Sequence, residues 1–418
     1  MKALFRNAKV YENGKIEQRD MFFDGASVFP FSGDFSSFDN SVSVVDNTVI
    51  IPGFCDVHVH LREPGFSYKE TIASGTAASA RGGYTAVCSM PNLKPAPDSV
   101  ENLGVQLEII ERDAKIKVIP YGTITVGEGG EQLSDMEGIA QSVAGFSDDG
   151  RGVQSDGVML EAMKRAKALG KPIVAHCEDN SLLRGGYIHD GEYAKAHGHR
   201  GICSESEWGQ IKRDLELVRQ TGCKYHICHV STKESVELIR RAKADGLDVT
   251  CETGPHYLTL DDSHLTEDAR FKMNPPLRSP EDREAMLRGV LDGTVDMIAT
   301  DHAPHSEEEK SRGLEKSAMG VVGIETAFAV MYTHFVRTGT MTLEKLVEIM
   351  STKPRERFGI DSDPGFTVFE VGTEHTVNPD DFLSKGRATP FAGDKVYGEC
   401  LLTVYEGKPV YLNPKIGN

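Results

Sequence analysis

Ile50-Ile51-Pro52-Gly53-Phe54-Cys55-Asp56-Val57-His58-Val59-His60-Leu61-Arg62-Glu63 is an apolar run that closes on two histidines spaced i, i+2. On a β-strand that spacing puts both imidazoles on one face. Two neutral imidazoles at a strand end offer a metal ion two nitrogen ligands, and Arg62 beside them supplies a cation for an anionic substrate. A pair of hydrogen-bonded histidines without metal has the same short pattern. What separates the two readings is whether further ligands recur at other strand ends.

From this stretch onward, short β-branched runs alternate with loops and helical segments. The runs are Val49 to His58, Thr85 to Ser89, Val118 to Thr123, Gly145 to Ser147, Ile173 to His176, Tyr225 to His229, Val249 to Glu252 and Met297 to Thr300. Between them, Lys69 to Arg81, Gly157 to Leu169, Ser204 to Gln220, Lys233 to Ala244 and Pro280 to Leu291 carry helical spacing and stop signals. Eight runs alternating with helices predict an α/β fold, a (β/α)8 barrel. The Met and Leu stripes of these helices read as core.

The flanks differ. Residues 1 to about 50 alternate short apolar segments with polar turns such as Glu12-Asn13-Gly14, which is hairpin patterning. Strand-like pieces return after about residue 360, at Phe366 to Val371, Thr376-Val377, Leu401 to Tyr405 and Pro409 to Leu412. The expected organisation is a catalytic barrel over 51–360, with 1–50 and 361–418 pairing as one small β unit from both chain ends. A length of 418 residues suits one barrel of ~250 residues plus such a unit.

The formal net charge of −17 argues against nucleic acid and against an anionic membrane surface, because the bulk field repels both. Any anion must be held by a local cationic pocket. No signal-peptide core and no run of ~18 apolar residues is present, so the expected location is cytoplasmic. The eight cysteines form no CxxC pair, which disfavours a disulfide framework or a zinc ribbon.

In a barrel the chemistry sits at the C-terminal ends of the strands. There the runs close on His58 and His60, on Asn92, on Asp148-Asp149, on His176, on His229, and on Asp301-His302 with His305 beyond. A single residue of this kind is readily a cap or a core histidine; together they point to a shared metal centre. His58, His60, His176 and His229 with two aspartates are six ligands, too many for one tetrahedral catalytic zinc. Two metals sharing a bridging carboxylate would use them all. Spacing leaves open whether Asp148 or Asp149 bridges.

Pro52-Gly53-Phe54 with Asp56-Val57-His58-Val59-His60, and His176, His229 and Asp301 downstream, resembles the amidohydrolase superfamily. Leu61-Arg62-Glu63-Pro64-Gly65, Met90-Pro91-Asn92, Phe146-Ser147-Asp148-Asp149-Gly150, Ala175-His176-Cys177-Glu178-Asp179, Lys272-Met273-Asn274-Pro275-Pro276 and Ala299-Thr300-Asp301-His302-Ala303-Pro304-His305 are more closely similar to the class I bacterial dihydroorotases. The resemblance covers nearly the whole chain. It implies a distorted (β/α)8 barrel with a small β-sandwich from both chain ends. It also implies two zinc ions, the first held by His58, His60 and Asp301 and the second by His176 and His229, bridged by Asp149 and a hydroxide. Arg62, Asn92 and His305, with His60 close by, would then grip the substrate carboxylate, and Asn274, Met319 and Gly320 the ring. Asp301 would be the catalytic acid–base. Cys251-Glu252-Thr253-Gly254-Pro255-His256-Tyr257 departs from the family, where a valine and two histidines are common.

The implied activity is the zinc-dependent, reversible cyclisation of N-carbamoyl-aspartate to dihydroorotate in pyrimidine synthesis. The implied partners are this small-molecule pair, with a homodimer or another pyrimidine-pathway enzyme left open. An allantoinase, hydantoinase or dihydropyrimidinase would share the metal ligands but not need the carboxylate grip. A non-catalytic barrel acting as a partner subunit would typically have lost ligands, and all six are present.

Overall fold

The apolar run that opens the barrel is two strands. In the computed structural model, which describes residues 2–33, 42–360 and 363–416, Thr48–Pro52 belongs to the sheet of the chain ends and Phe54–Val59 to the barrel. Gly53 lies between them. A Cβ there would stand 2.3 Å from Thr85 Cγ2 and 2.5 Å from the Pro364 carbonyl oxygen, so the backbone passes too close for any side chain.

Phe54–Val59, Tyr84–Ser89 and Lys117–Pro120 pair in parallel, as do Ile173–Ala175, Tyr225–Ile227, Val249–Thr253 and Met297–Ile298. Two seams close the ring. Phe146 alone bridges Gly122 on one side and Ile173 on the other, and Val59 bridges His302. The fourth run is therefore a single residue of ladder rather than the strand expected over Gly145 to Ser147. Gly145 packs against Pro172, and the Asp148 turn begins at once. Every residue of Phe54–Val59 and Tyr84–Ser89 is buried, as strands covered on both faces require.

The helices form where the spacing predicts them, at Asp156–Ala168, Glu205–Thr221, Lys233–Ala244 and Pro280–Asp292. The helix expected from Lys69 begins only at Ile72, behind a capping box of Thr71 with Ser74. Glu70 is withdrawn from it, since its carboxylate accepts from Ser384 Oγ at 2.5 Å and from the Lys385 amide.

Both chain ends build one mixed eight-stranded sheet. Its centre is Thr48–Pro52, parallel to Lys2–Glu12 and antiparallel to Phe366–Thr376, with Val368 opposite Ile50. Lys2–Glu12 turns into Lys15–Phe23 through Asn13 and Gly14, both at positive φ, the turn that this dipeptide favours. Phe369 carries the sheet onto the barrel, stacking on Phe328 at 3.8 Å and near Phe54 at 5.9 Å. The boundary expected at residue 361 lies outside the described residues. All eight cysteines are free, and Cys55, Cys88 and Cys228 pack as small apolar groups. Among the described residues no helix is long and apolar enough to cross a membrane.

Candidate active site

The strand ends deliver their side chains to one place. Asp149 stands at its centre. Its Oδ1 lies 3.4 Å from His58 Nε2 and 3.6 Å from both His176 Nδ1 and His229 Nε2, and its Oδ2 lies 3.5 Å from His60 Nε2. Two groups of potential metal-binding side chains, His58–His60–Asp149 and Asp149–His176–His229, share this carboxylate. Asp301 Oδ1 faces the first pair, 3.1 Å from His60 Nε2 and 3.5 Å from His58 Nε2. Asp148 points elsewhere: its Oδ1 accepts from the amides of Ile124 and Thr125 at 2.8 and 3.0 Å, and its Oδ2 from the Thr125 hydroxyl. The ambiguity between the two aspartates is thus one of side-chain direction, which spacing does not encode.

Burial alone would raise the Asp149 carboxyl, but the surrounding histidines overcome it and hold the group well below the usual carboxylate range. His58 Nε2 and Asp149 Oδ1 are buried with no hydrogen-bond partner among the described residues. Unpartnered polar atoms on either side of one small gap, all of them good ligands, fit a metal ion.

The histidines are aimed from behind. His58 Nδ1 lies 2.7 Å from Glu252 Oε1, so Nδ1 carries the proton and Nε2 turns a lone pair to the centre. His60 Nδ1 is bound in the same way by Asn92 Oδ1 at 2.9 Å. Glu252 also holds His226 Nε2 at 3.0 Å, and these histidines keep its carboxyl at about 2 against the opposing effect of burial. Asp56 accepts from Thr300 N, Thr300 Oγ1 and His58 N, which locks the first strand to the eighth. Arg62, His229 and Asp301 all sit at positive φ, at +60°, +33° and +47°. Such non-glycine conformations persist where the surroundings over-determine them, typically at functional sites.

A cavity of about 210 Å³ opens onto this cluster and brings together His60, Arg62, Asn92, Asp149, His176, His229, Asn274, Asp301, His305, Met319 and Gly320. His58 lies beneath it, fully buried. Arg62 Nε donates to Pro304 O at 3.2 Å, and among the described residues no carboxylate is within ion-pair distance of the guanidinium. Glu63 and Asp56, its obvious acidic neighbours, are engaged with Ile72 N and with Thr300. His305 Nε2 donates to Met319 O at 2.7 Å, while Lys69 Nζ lies 3.3 Å from its Nδ1. Burial, Arg62 and Lys69 lower His305 to about 3, so this ring is neutral.

The reading of strand ends passed over Glu252 and Asp56. Glu252 closes the seventh run just as the ligands close theirs, so the signal was present. Its partners, His58 and His226, are not visible as such from the chain.

A parallel barrel with a carboxylate-centred cluster of histidines at its C-terminal rim, and a cation beside it, defines an amidohydrolase. Residues 47–235 match the family described as Dihydro-orotase-like. The chain is 49% identical to a dihydroorotase of Fusobacterium nucleatum subsp. nucleatum over 98% of each chain, and 47% identical to one of Staphylococcus epidermidis over 99% of this chain and all of that one. Among solved structures, an L-hydantoinase (dihydropyrimidinase) from Arthrobacter aurescens is similar at a TM-score of 0.82, with 25% identity over 98% of this chain and 96% of that one. This chain belongs to the dihydroorotase family.

Proposed function

We propose that the chain interconverts N-carbamoyl-L-aspartate and L-dihydroorotate, a step of pyrimidine synthesis, with two zinc ions. His58, His60 and Asp301 would hold the first ion and His176 and His229 the second, with Asp149 between them. Bound there, the metal would supply Lewis-acid polarisation and draw a nucleophile from water at neutral pH. The observation that carries the reading is Arg62: a buried guanidinium beside the ligand cluster, with no carboxylate partner among the described residues, matches a substrate carboxylate. A cyclic amide lacking a carboxylate would leave that cation unmatched.

In the hydrolytic direction water adds across the ring amide and its C–N bond breaks. Asp301 takes the proton of the attacking water on a carboxylate oxygen and delivers it to the leaving ring nitrogen. In the other direction the same carboxylate takes a proton from the attacking nitrogen, and water leaves. Arg62 anchors the substrate carboxylate, and the Nε2–H of His305 and the backbone at Met319-Gly320 complete the wall.

Protein prepared without chelator is expected to contain nearly two zinc ions per chain and to turn over dihydroorotate in preference to hydantoin. Asp149→Ala should lose at least one ion by elemental analysis. Full activity with a single ion, or turnover of hydantoin but not of dihydroorotate, would overturn this reading. Glu252→Ala is expected to weaken metal affinity by about 10- to 100-fold in a chelator competition, because His58 loses the partner that sets its tautomer.

A further inference from the structure

Behind the wall of the cavity stands a cation that the chemistry above does not use. Lys310 Nζ donates to three backbone carbonyls, Gly320 O at 2.8 Å, Ala318 O at 3.0 Å and Lys272 O at 3.1 Å. An ammonium has three N–H groups, so this set saturates it. The carbonyls come from two segments far apart in sequence. One carries Asn274 and the other carries Met319 and Gly320, and Lys310 itself follows His305; all four of those residues line the cavity. Among the described residues one backbone hydrogen bond joins the same two segments, Gly320 N to Lys272 O at 3.1 Å, and Lys272 Nζ adds a bond to Glu315 O at 2.9 Å.

The wall leaves little room for error. Gly320 has φ +131°, and a Cβ there would come 2.8 Å from Ala303 O and 3.0 Å from His305 Nε2. Because His305 donates to Met319 O, any shift of 318–320 also moves that imidazole. Among the described residues no carboxylate is within ion-pair distance of Lys310. Three carbonyl bonds rather than an opposite charge hold the ammonium in place, while burial, with Lys272 nearby, lowers its pKa to about 7.

We propose that Lys310 is a positioning residue for substrate: its ammonium ties the segment of Asn274 to that of Met319-Gly320 and so sets the width of the slot that receives the ring. This rests on the reading that dihydroorotate occupies the cavity. Lys310 touches none of the ligand cluster, so its loss acts on substrate fit and leaves the metal in place. The outer face of Lys310 borders a second cavity of about 510 Å³, through which a small amine can reach the vacated position.

The test is Lys310→Met, which keeps the stem and removes the donors, together with Lys310→Ala. Both should raise KM for dihydroorotate by about 10-fold or more while kcat stays within about 3-fold, the pattern of lost uniform binding. Metal content should be unchanged. Propylammonium, with three N–H groups, should lower the KM of Lys310→Ala again, and tetramethylammonium, a cation with none, should not. An unchanged KM, a KM that propylammonium does not restore, or loss of metal would overturn the proposal. Should Lys310→Met be insoluble, Lys310→Arg carries the test, since a planar guanidinium cannot aim three N–H groups as an ammonium does. A native KM in that variant would overturn the proposal equally. Wild-type turnover, measured alongside, separates the two inferences: its absence sinks the functional reading, whereas a normal wild type with an unaffected variant sinks the role of Lys310 alone.

Discussion

Asp301→Asn is expected to retain most of its metal and to lose about 10²-fold or more in turnover in both directions, the scale of losing general acid–base catalysis. The substitution suits the site. Asp301 sits at φ +47°, a conformation that asparagine tolerates well, so the backbone need not move. The amide keeps one oxygen to face His60 Nε2, where Asp301 Oδ1 now stands at 3.1 Å. What it loses is the capacity to accept a proton. Elemental analysis paired with assays of ring opening and ring closure separates the two roles. A variant that holds its metal and closes the ring at a near-native rate would show that Asp301 is a ligand only. His305 is a poor substitute for it, because its Nε2–H is already donated to Met319 O.

Arg62→Met should cost about 2–4 kcal/mol of transition-state stabilisation for dihydroorotate, the loss of a charged hydrogen-bonded pair in a partly dry site. The structure makes this a clean deletion. Arg62 holds no carboxylate of its own chain among the described residues, and its Nε bond to Pro304 O is single and 3.2 Å long. Methionine fills the space of the stem without the charge. Metal content and thermal midpoint should stay close to wild type. If the metal were lost or the protein failed to fold, the guanidinium would be holding the strand end rather than the substrate.

Much of the architecture was legible because parallel strands covered on both faces read as short, continuous β-branched runs, and the helices between them read by their 3.6-residue period. The candidate ligands were legible for a related reason. Barrel strands all end at the same rim, so residues that close consecutive runs converge even when they are far apart in the chain. The limits are equally specific. Nothing local marks Gly53 as the break between two strands until Thr85 and Pro364 are seen pressing on it. The fourth run shrinks to Phe146 because its neighbours on either side, Gly122 and Ile173, meet it at one residue.

The sequence by itself determined the alternation of strands and helices, the residues that line the rim, and the presence of Arg62 beside the first histidine pair. Those are properties of periodicity and of position within a run, and each is written locally. The family resemblance already pointed to Asp149, but only the tertiary structure decided that its carboxylate faces the histidines while Asp148 turns to the Ile124 and Thr125 amides, that Glu252 sets the tautomer of His58, and that Lys310 gathers carbonyls from 272, 318 and 320. Each of these is a hydrogen bond or a side-chain direction created by residues that meet only when the barrel closes, and distance along the chain carries no record of it.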